Sequence, residues 1–319
     1  MMYKPEILVA PKDISEIKSL AEVGATAFVI GDERFALCLR GNFLALALEQ
    51  AVGFIHDLGK KVYLLVDAIF PNALLIEFED FLRSIVDIPF DGIRIADLGV
   101  MMKVREILPA IPLHFVDAMM LTNSFTVNYW ANRGVNRVKL AHELTLDEVL
   151  AIKAQTNCQI EILVQGAPLM FTSRRKLIDN YLDFQRRFSS KDITIKTDDN
   201  HLFDAERNLY YPLVENEHGT HIYGGNDVCM IDDLGRLAHA GIDTLYIESF
   251  TYTKTEDLAE VIKLYKMAID LLSVEPEKYL KAGAALYAEV VKHQGATRQT
   301  DRGFYYKPTI YKNKSGDER

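Results

Sequence analysis

Gln159-Ile-Glu-Ile-Leu-Val-Gln-Gly166 is the stretch on which the fold turns. Its first six residues, Gln159 to Val164, read as a buried strand, and Gly166 and Pro168 stop it. A basic turn follows at Ser173-Arg-Arg-Lys176. A strand that ends in a small-residue break and then presents cations can form the floor and lip of a pocket. The alternative is a strand, a loop and a solvated basic helix start. The choice depends on whether other strand ends converge on the same place.

Working outward, strand-like apolar runs alternate with helical patterns along the chain. The runs are Glu6–Ala10, Ala27–Gly31, Lys61–Asp67, Gly92–Asp97, Leu113–Asp117, Val135–Ala141, the opening stretch and Thr244–Glu248. Between them lie helices with start signals, such as Asp13 with Glu16 in capping-box position, Asn123, and Thr145 followed by Asp147 and Glu148. Three helix-end, glycine-turn and strand segments, beginning at Val23, Arg133 and Ala240, are weakly alike. Eight strand–helix pairs in succession predict an α/β chain folded as a (β/α)8 barrel of the TIM type, with a doubly wound open sheet as the alternative.

One connection is too long for such a unit. Roughly seventy residues separate the seventh and eighth strands, where a handful is usual. Parts of it alternate, at Ile193–Thr197, Asn208–Val214 and Gly219–Tyr223, with Glu217-His-Gly219 as a turn. This predicts a small β-rich insertion over residues 189–223, overhanging the mouth, with Tyr210, Tyr211 and Tyr223 supplying aromatic faces. The barrel is expected to span residues 1–275, including the insertion, and a C-terminal extension to span 276–319.

Composition narrows the class. The chain has 319 residues, 49% hydrophobic and 25% charged, with a net charge of −9. That balance disfavours general adhesion to nucleic acid, though not a local basic site. Three widely spaced cysteines, Cys38, Cys158 and Cys229, argue against a disulfide framework and for a reducing, cytoplasmic setting. No apolar run approaches the roughly 20 residues needed to span a bilayer, so no membrane is expected as a partner. The start is too quickly polar to read as a signal peptide.

In barrels of this type the working groups stand at the carboxyl ends of the strands. Here those ends supply Asp67, Asp97, Asp117, His142 with Glu143, Gln165 and Glu248. Asp97 and Asp117 read as helix caps. Glu248 ends an apolar strand with no evident cap role. The expected binding set is Glu143, Gln165, Arg174, Arg175 and Glu248, with Arg174, Glu143 and Glu248 forming one polar site that holds and orients an anionic group. The competing reading makes Glu248 an internal strut paired with Lys139. His218 and His221 lie three apart beside Gly219, but strand geometry argues against a metal pair, and no metal site is expected. Zincin, nucleophile-elbow, Walker and dinucleotide-binding motifs are absent.

Several segments together resemble peptidase family U32, whose members are often called collagenase-like proteases. They are Glu161-x-x-x-Gln-Gly-Ala167, Ser173-Arg-Arg175, Asn226-Asp-Val-Cys-Met-Ile-Asp232, Ala240-Gly-Ile-Asp243 with Ile247-Glu248, and Gly303-Phe-Tyr-Tyr-Lys307. The resemblance implies either a peptidase, as the family name states, or the chemistry of its better-understood branches, which hydroxylate RNA bases or ubiquinone precursors and carry a four-cysteine iron–sulfur site. Two of those cysteines match Leu169 and Lys176 here, a third belongs to a later cysteine-rich turn that this sequence lacks, and the fourth matches Cys229. The chain also has Gln165 where many relatives have histidine, His142 in place of an arginine, and Ser249-Phe250 where many have Gly-Arg. These departures resemble the small subunit of a two-protein type that forms 5-hydroxyuridine at the tRNA wobble position. That type implies no cofactor in this chain, an iron–sulfur cluster in a longer paralogous partner with all four cysteines, tRNA as a partner, and a prephenate-like small acid as hydroxyl source. A scaffold or RNA-positioning subunit without chemistry of its own is the third reading.

Overall fold

The computed structural model describes residues 4–116, 121–188, 201–294 and 298–307. The chain opens with β1 (Glu6–Val9), α1 (Ile14–Val23), β2 (Ala27–Ile30), α2 (Ala45–Asp57), β3 (Lys61–Val66), α3 (Asn72–Ser84), β4 (Gly92–Ile95), α4 (Leu98–Ile107) and β5 (Leu113–Phe115). It continues with α5 (Ser124–Ala131), β6 (Val135–Lys139), α6 (Leu146–Lys153) and β7 (Gln159–Gly166). After β7 come β8 (Leu169–Ser173), α7 (Leu177–Phe188), β9 (His201–Asp204), β10 (Leu209–Asn216), β11 (Gly219–Tyr223) and β12 (Asn226–Cys229). The last elements are α8 (Leu234–Ala240), β13 (Thr244–Ile247), α9 (Thr255–Val274), α10 (Pro276–Lys292) and β14 (Gln299–Asp301).

Strands β1 to β7 pair in parallel in chain order, and β13 pairs in parallel with both β7 and β1. That double pairing closes the sheet, so the fold is the (β/α)8 barrel and not the open sheet. Residues facing the helices are apolar, for example Ile7, Phe28, Val62, Ile93, Val138, Ile160 and Leu245, and all of these are buried. Helix caps fall where the sequence places them: Asp13, Asp97 and Asn123 each accept an N–H of the first turn, and Thr145 with Glu148 forms a full capping box. Glu16 departs from its expected capping-box role. Its buried carboxylate binds Arg40 and Thr255, and Arg40 in turn donates to the carbonyls of Ser249 and Tyr252, tying the β2–α2 loop to the β13–α9 loop.

The insertion differs from the expectation in extent. A four-stranded antiparallel sheet in the order β8-β11-β10-β9 begins at Leu169, directly after β7, and carries the helix α7. Its hairpin turns at Gly219, whose φ is 115° and whose Cβ would lie 1.9 Å from the carbonyl oxygen of Ser173; only glycine fits there. The alternating run Ile193–Thr197 lies outside the described residues. The sheet hangs over the carboxyl end of the barrel, because Asn216 donates to the Leu37 carbonyl at 2.7 Å and His218 meets the Glu33 carbonyl at 2.6 Å, both in the loop after β2. Sequence reading missed β12 and β14. β12 pairs antiparallel with the end of β7, and β14 pairs with β12. The C-terminal residues are fastened to the same place, where buried Tyr305 donates to the Leu163 carbonyl at 2.6 Å.

Candidate active site at the barrel mouth

The inward positions of this barrel are unusually polar. Strands of a parallel sheet covered on both faces ordinarily read as continuous aliphatic runs. Here charged side chains occupy inward positions: Arg94 in β4, Arg137 and Lys139 two apart in β6, Glu161 in β7. At the amino-terminal end Arg137 pairs with Glu6 at 2.7 Å, and the Tyr63 hydroxyl donates to the same carboxylate at 2.9 Å. A concavity opens there, but its cations are spoken for: Lys61 and Arg137 meet Glu6, and Lys4 and Lys266 meet Asp270.

One layer up, Arg94 and Glu161 form a two-pronged pair at 2.6 and 2.8 Å, both side chains at most 3% exposed. Burial would raise the Glu161 carboxyl, yet the Arg94 charge and its hydrogen bonds hold it below the ordinary range. The pair is the floor of the mouth.

Above the floor stand Lys139, Asp67, Glu248, Tyr246, Cys38 and Tyr223. The Lys139 ammonium lies 4.2 Å from the centroid of the Tyr246 ring, and the Tyr246 hydroxyl donates to Glu248 at 3.1 Å. Glu248 also accepts the Phe250 N–H at 2.9 Å, a local turn role that the sequence does not announce. No direct ion pair joins Glu248 to Lys139 among the described residues, so the strut expected from the competing reading is replaced by an indirect link through Tyr246. Burial pushes the Asp67 carboxyl up, against the Leu37 N–H that donates to it at 2.9 Å and the charges of Lys139 and Arg94. Burial lowers the Lys139 amine, with Glu161 and Glu248 opposing. Cys38 bonds to Tyr223, and burial pushes its thiol up to about 12. The Tyr223 and Phe250 rings stack with centroids 5.2 Å apart. His142, at the end of β6, is held neutral: burial and Lys139 lower it to about 4.

The expected binding residues divide. Gln165 and Glu248 are brought together. The Glu248 N–H donates to the Gln165 carbonyl at 2.9 Å, and Gly166, with φ 97°, lets the two strand ends approach, since a Cβ there would sit 2.5 Å from the Glu248 carbonyl. The Gln165 side chain is fully buried and engaged at both ends, donating to Tyr252 at 3.1 Å and accepting from Tyr265 at 3.2 Å. It therefore braces the junction of β7, β12 and α9. Glu143 is exposed in the turn before α6, and Arg174 and Arg175 are exposed in the turn between β8 and α7, on the insertion and not on a barrel strand. None of these three pairs with Glu248 among the described residues. Asp97 caps α4, as expected, and Asp117 lies outside the described residues. His221 is buried between Thr172 and Asn216, and His218 pins the insertion to the β2–α2 loop, so both histidines are used structurally.

The residues present do not fit the iron–sulfur site implied for longer relatives. Leu169 is apolar, Lys176 is an exposed ammonium, and Cys229 is a buried thiol that burial pushes up to about 11. Among the described residues no three His, Cys, Asp or Glu side chains converge as metal ligands would.

The sequence model of peptidase family U32 matches residues 12–314. The chain belongs to that family. It is 38% identical to tRNA hydroxylation protein P2 of Bacillus subtilis, over 97% of this chain and 100% of that protein. It is 24% identical to tRNA hydroxylation protein P1 of the same bacterium, over 87% of this chain and 66% of that protein. It is 29% identical to tRNA hydroxylation protein P of Escherichia coli, over 84% of this chain and 68% of that protein. One bacterium thus carries two paralogues similar to this chain, one matched over its whole length and the other over two thirds of it. No helix among the described residues is long and apolar enough to cross a membrane.

Proposed function

We propose that this U32-family chain is the short subunit of a tRNA wobble-uridine 5-hydroxylation system and acts with a longer paralogue that bears the iron–sulfur cluster. The observation that carries the reading is the end-to-end match to a P2 protein from a bacterium that also holds a P1 protein. The donor set of the mouth supports the division of labour, since it offers an amine, carboxylates, tyrosines and one thiol, Cys38, where a cluster needs four thiolates.

In this reading Glu248 and Lys139 contact a small substrate above the Arg94–Glu161 floor. Arg174 and Arg175 meet an anionic group, either a prephenate-like acid or a tRNA phosphate, from the insertion, and Glu143 orients it from the other side. Gln165 acts through the strand junction that it braces. The test is nucleoside mass spectrometry of tRNA from cells lacking the gene, with and without the gene restored. Loss of 5-hydroxyuridine derivatives on deletion, and their return on restoration, supports the reading. An unchanged modification profile overturns it.

A further inference from the structure

Lys139 is a half-buried cation with no ion pair or hydrogen bond among the described residues. Its ammonium sits over the Tyr246 ring instead of on a carboxylate, although charged side chains drawn out of water are usually paired. Three carboxylates act on it, Glu161, Glu248 and Asp67, yet each is held by another donor. Arg94 grips Glu161 with both prongs. Tyr246 and the Phe250 N–H hold Glu248, and the Leu37 N–H holds Asp67. The amine is thereby kept near acids without being tied to one. Lysines removed from water in this way become nucleophiles near neutral pH.

The geometry points to Lys139 as a covalent carbonyl-binding site that forms an imine with a small neutral aldehyde or ketone. The Lys139 nitrogen adds to the carbonyl carbon, forming a carbon–nitrogen bond. The carbonyl oxygen then leaves as water, carrying both amine hydrogens, and the imine takes one proton to become an iminium. Asp67, whose second oxygen accepts no hydrogen bond among the described residues, and Glu248 are placed to relay these protons. Nothing is oxidised or reduced. The charge balance next to the amine favours a neutral ligand: Arg94 is spent on Glu161 and the exposed Arg174 and Arg175 lie on the insertion, so among the described residues no second unpaired cation stands at the floor, whereas two carboxylates favour a positive iminium. The proposal deepens the substrate contact that the tRNA reading gives Lys139, but labelling reads the amine alone and can fail while that reading stands.

Dihydroxyacetone and cyanoborohydride test the site on the purified full-length chain at neutral pH. Cyanoborohydride reduces each imine to a stable secondary amine, so peptide mass spectrometry over time gives a rate for every lysine. Lys139 is expected to label several-fold faster than exposed Lys18 and Lys278, because burial lowers its amine and so enlarges its neutral fraction. Lys139→Arg should remove the fast site and leave the rates at Lys18 and Lys278 unchanged. Labelling of Lys139 no faster than the exposed lysines in the wild-type chain overturns the proposal, and that comparison needs no variant to fold.

Discussion

Glu161 shows how one residue serves both barrel and mouth. It is fully buried, and its carboxylate is stable there because Arg94 supplies two hydrogen bonds and a charge. Glu161→Gln should cost about 3–5 kcal/mol of stability in urea or guanidinium unfolding, since it strands the Arg94 guanidinium without its counter-charge. Arg94→Met combined with Glu161→Leu should recover most of that loss. A single variant as stable as the wild type would show that the pair is not what holds the floor. Histidine titration is also decided at this scale. Burial lowers His142 and His221 to about 4 from the ordinary 6.5, so between those values the unfolded chain binds more protons than the folded one. Stability therefore falls as pH drops through that window. Asp67 and Asp227, whose carboxyls burial pushes up, act in the opposite sense. His142→Gln should flatten the fall in melting temperature between pH 6.5 and 4; an unchanged profile would mean that the folded and unfolded chains bind a proton at His142 alike.

At the scale of elements, the strand–helix alternation was legible because each barrel strand is a short aliphatic run bounded by turn residues. The closure itself was not, because it depends on β13 pairing with strands far away in sequence. The signal overlooked was the charge set inside otherwise apolar strands, Arg94 in β4, Arg137 and Lys139 in β6 and Glu161 in β7, which marks the inward face. β12 was missed because Asn226–Cys229 is only four residues long and finds its partner on β7. The roles expected for Glu248 and Gln165 rested on chain position alone, and position does not reveal that Tyr246, Tyr252 and Tyr265 would take up their polar atoms. The insertion is anchored by few groups, so it should open locally before the barrel does. Asn216→Ala with His218→Ala removes its bonds to Leu37 and Glu33. Hydrogen exchange in β10 and β11 should then speed up while β1 to β7 keep their protection. Equal acceleration in the barrel strands would show that insertion and barrel unfold as one unit.

For the whole molecule, the proposed function requires that this barrel work without a cluster of its own and that a longer partner supply the iron chemistry. The protein purified without oxygen should be colourless and hold no stoichiometric iron; an iron–sulfur absorption band lost on Cys229→Ser would contradict this. The most direct measurement of the central claim restores the gene to a deletion strain in two forms, wild type and Glu248→Gln, and measures 5-hydroxyuridine derivatives in tRNA by mass spectrometry. The account predicts that the wild-type gene restores the modification, and that Glu248→Gln does not although the variant protein accumulates and melts within a few degrees of the wild type. Full restoration by Glu248→Gln would contradict it.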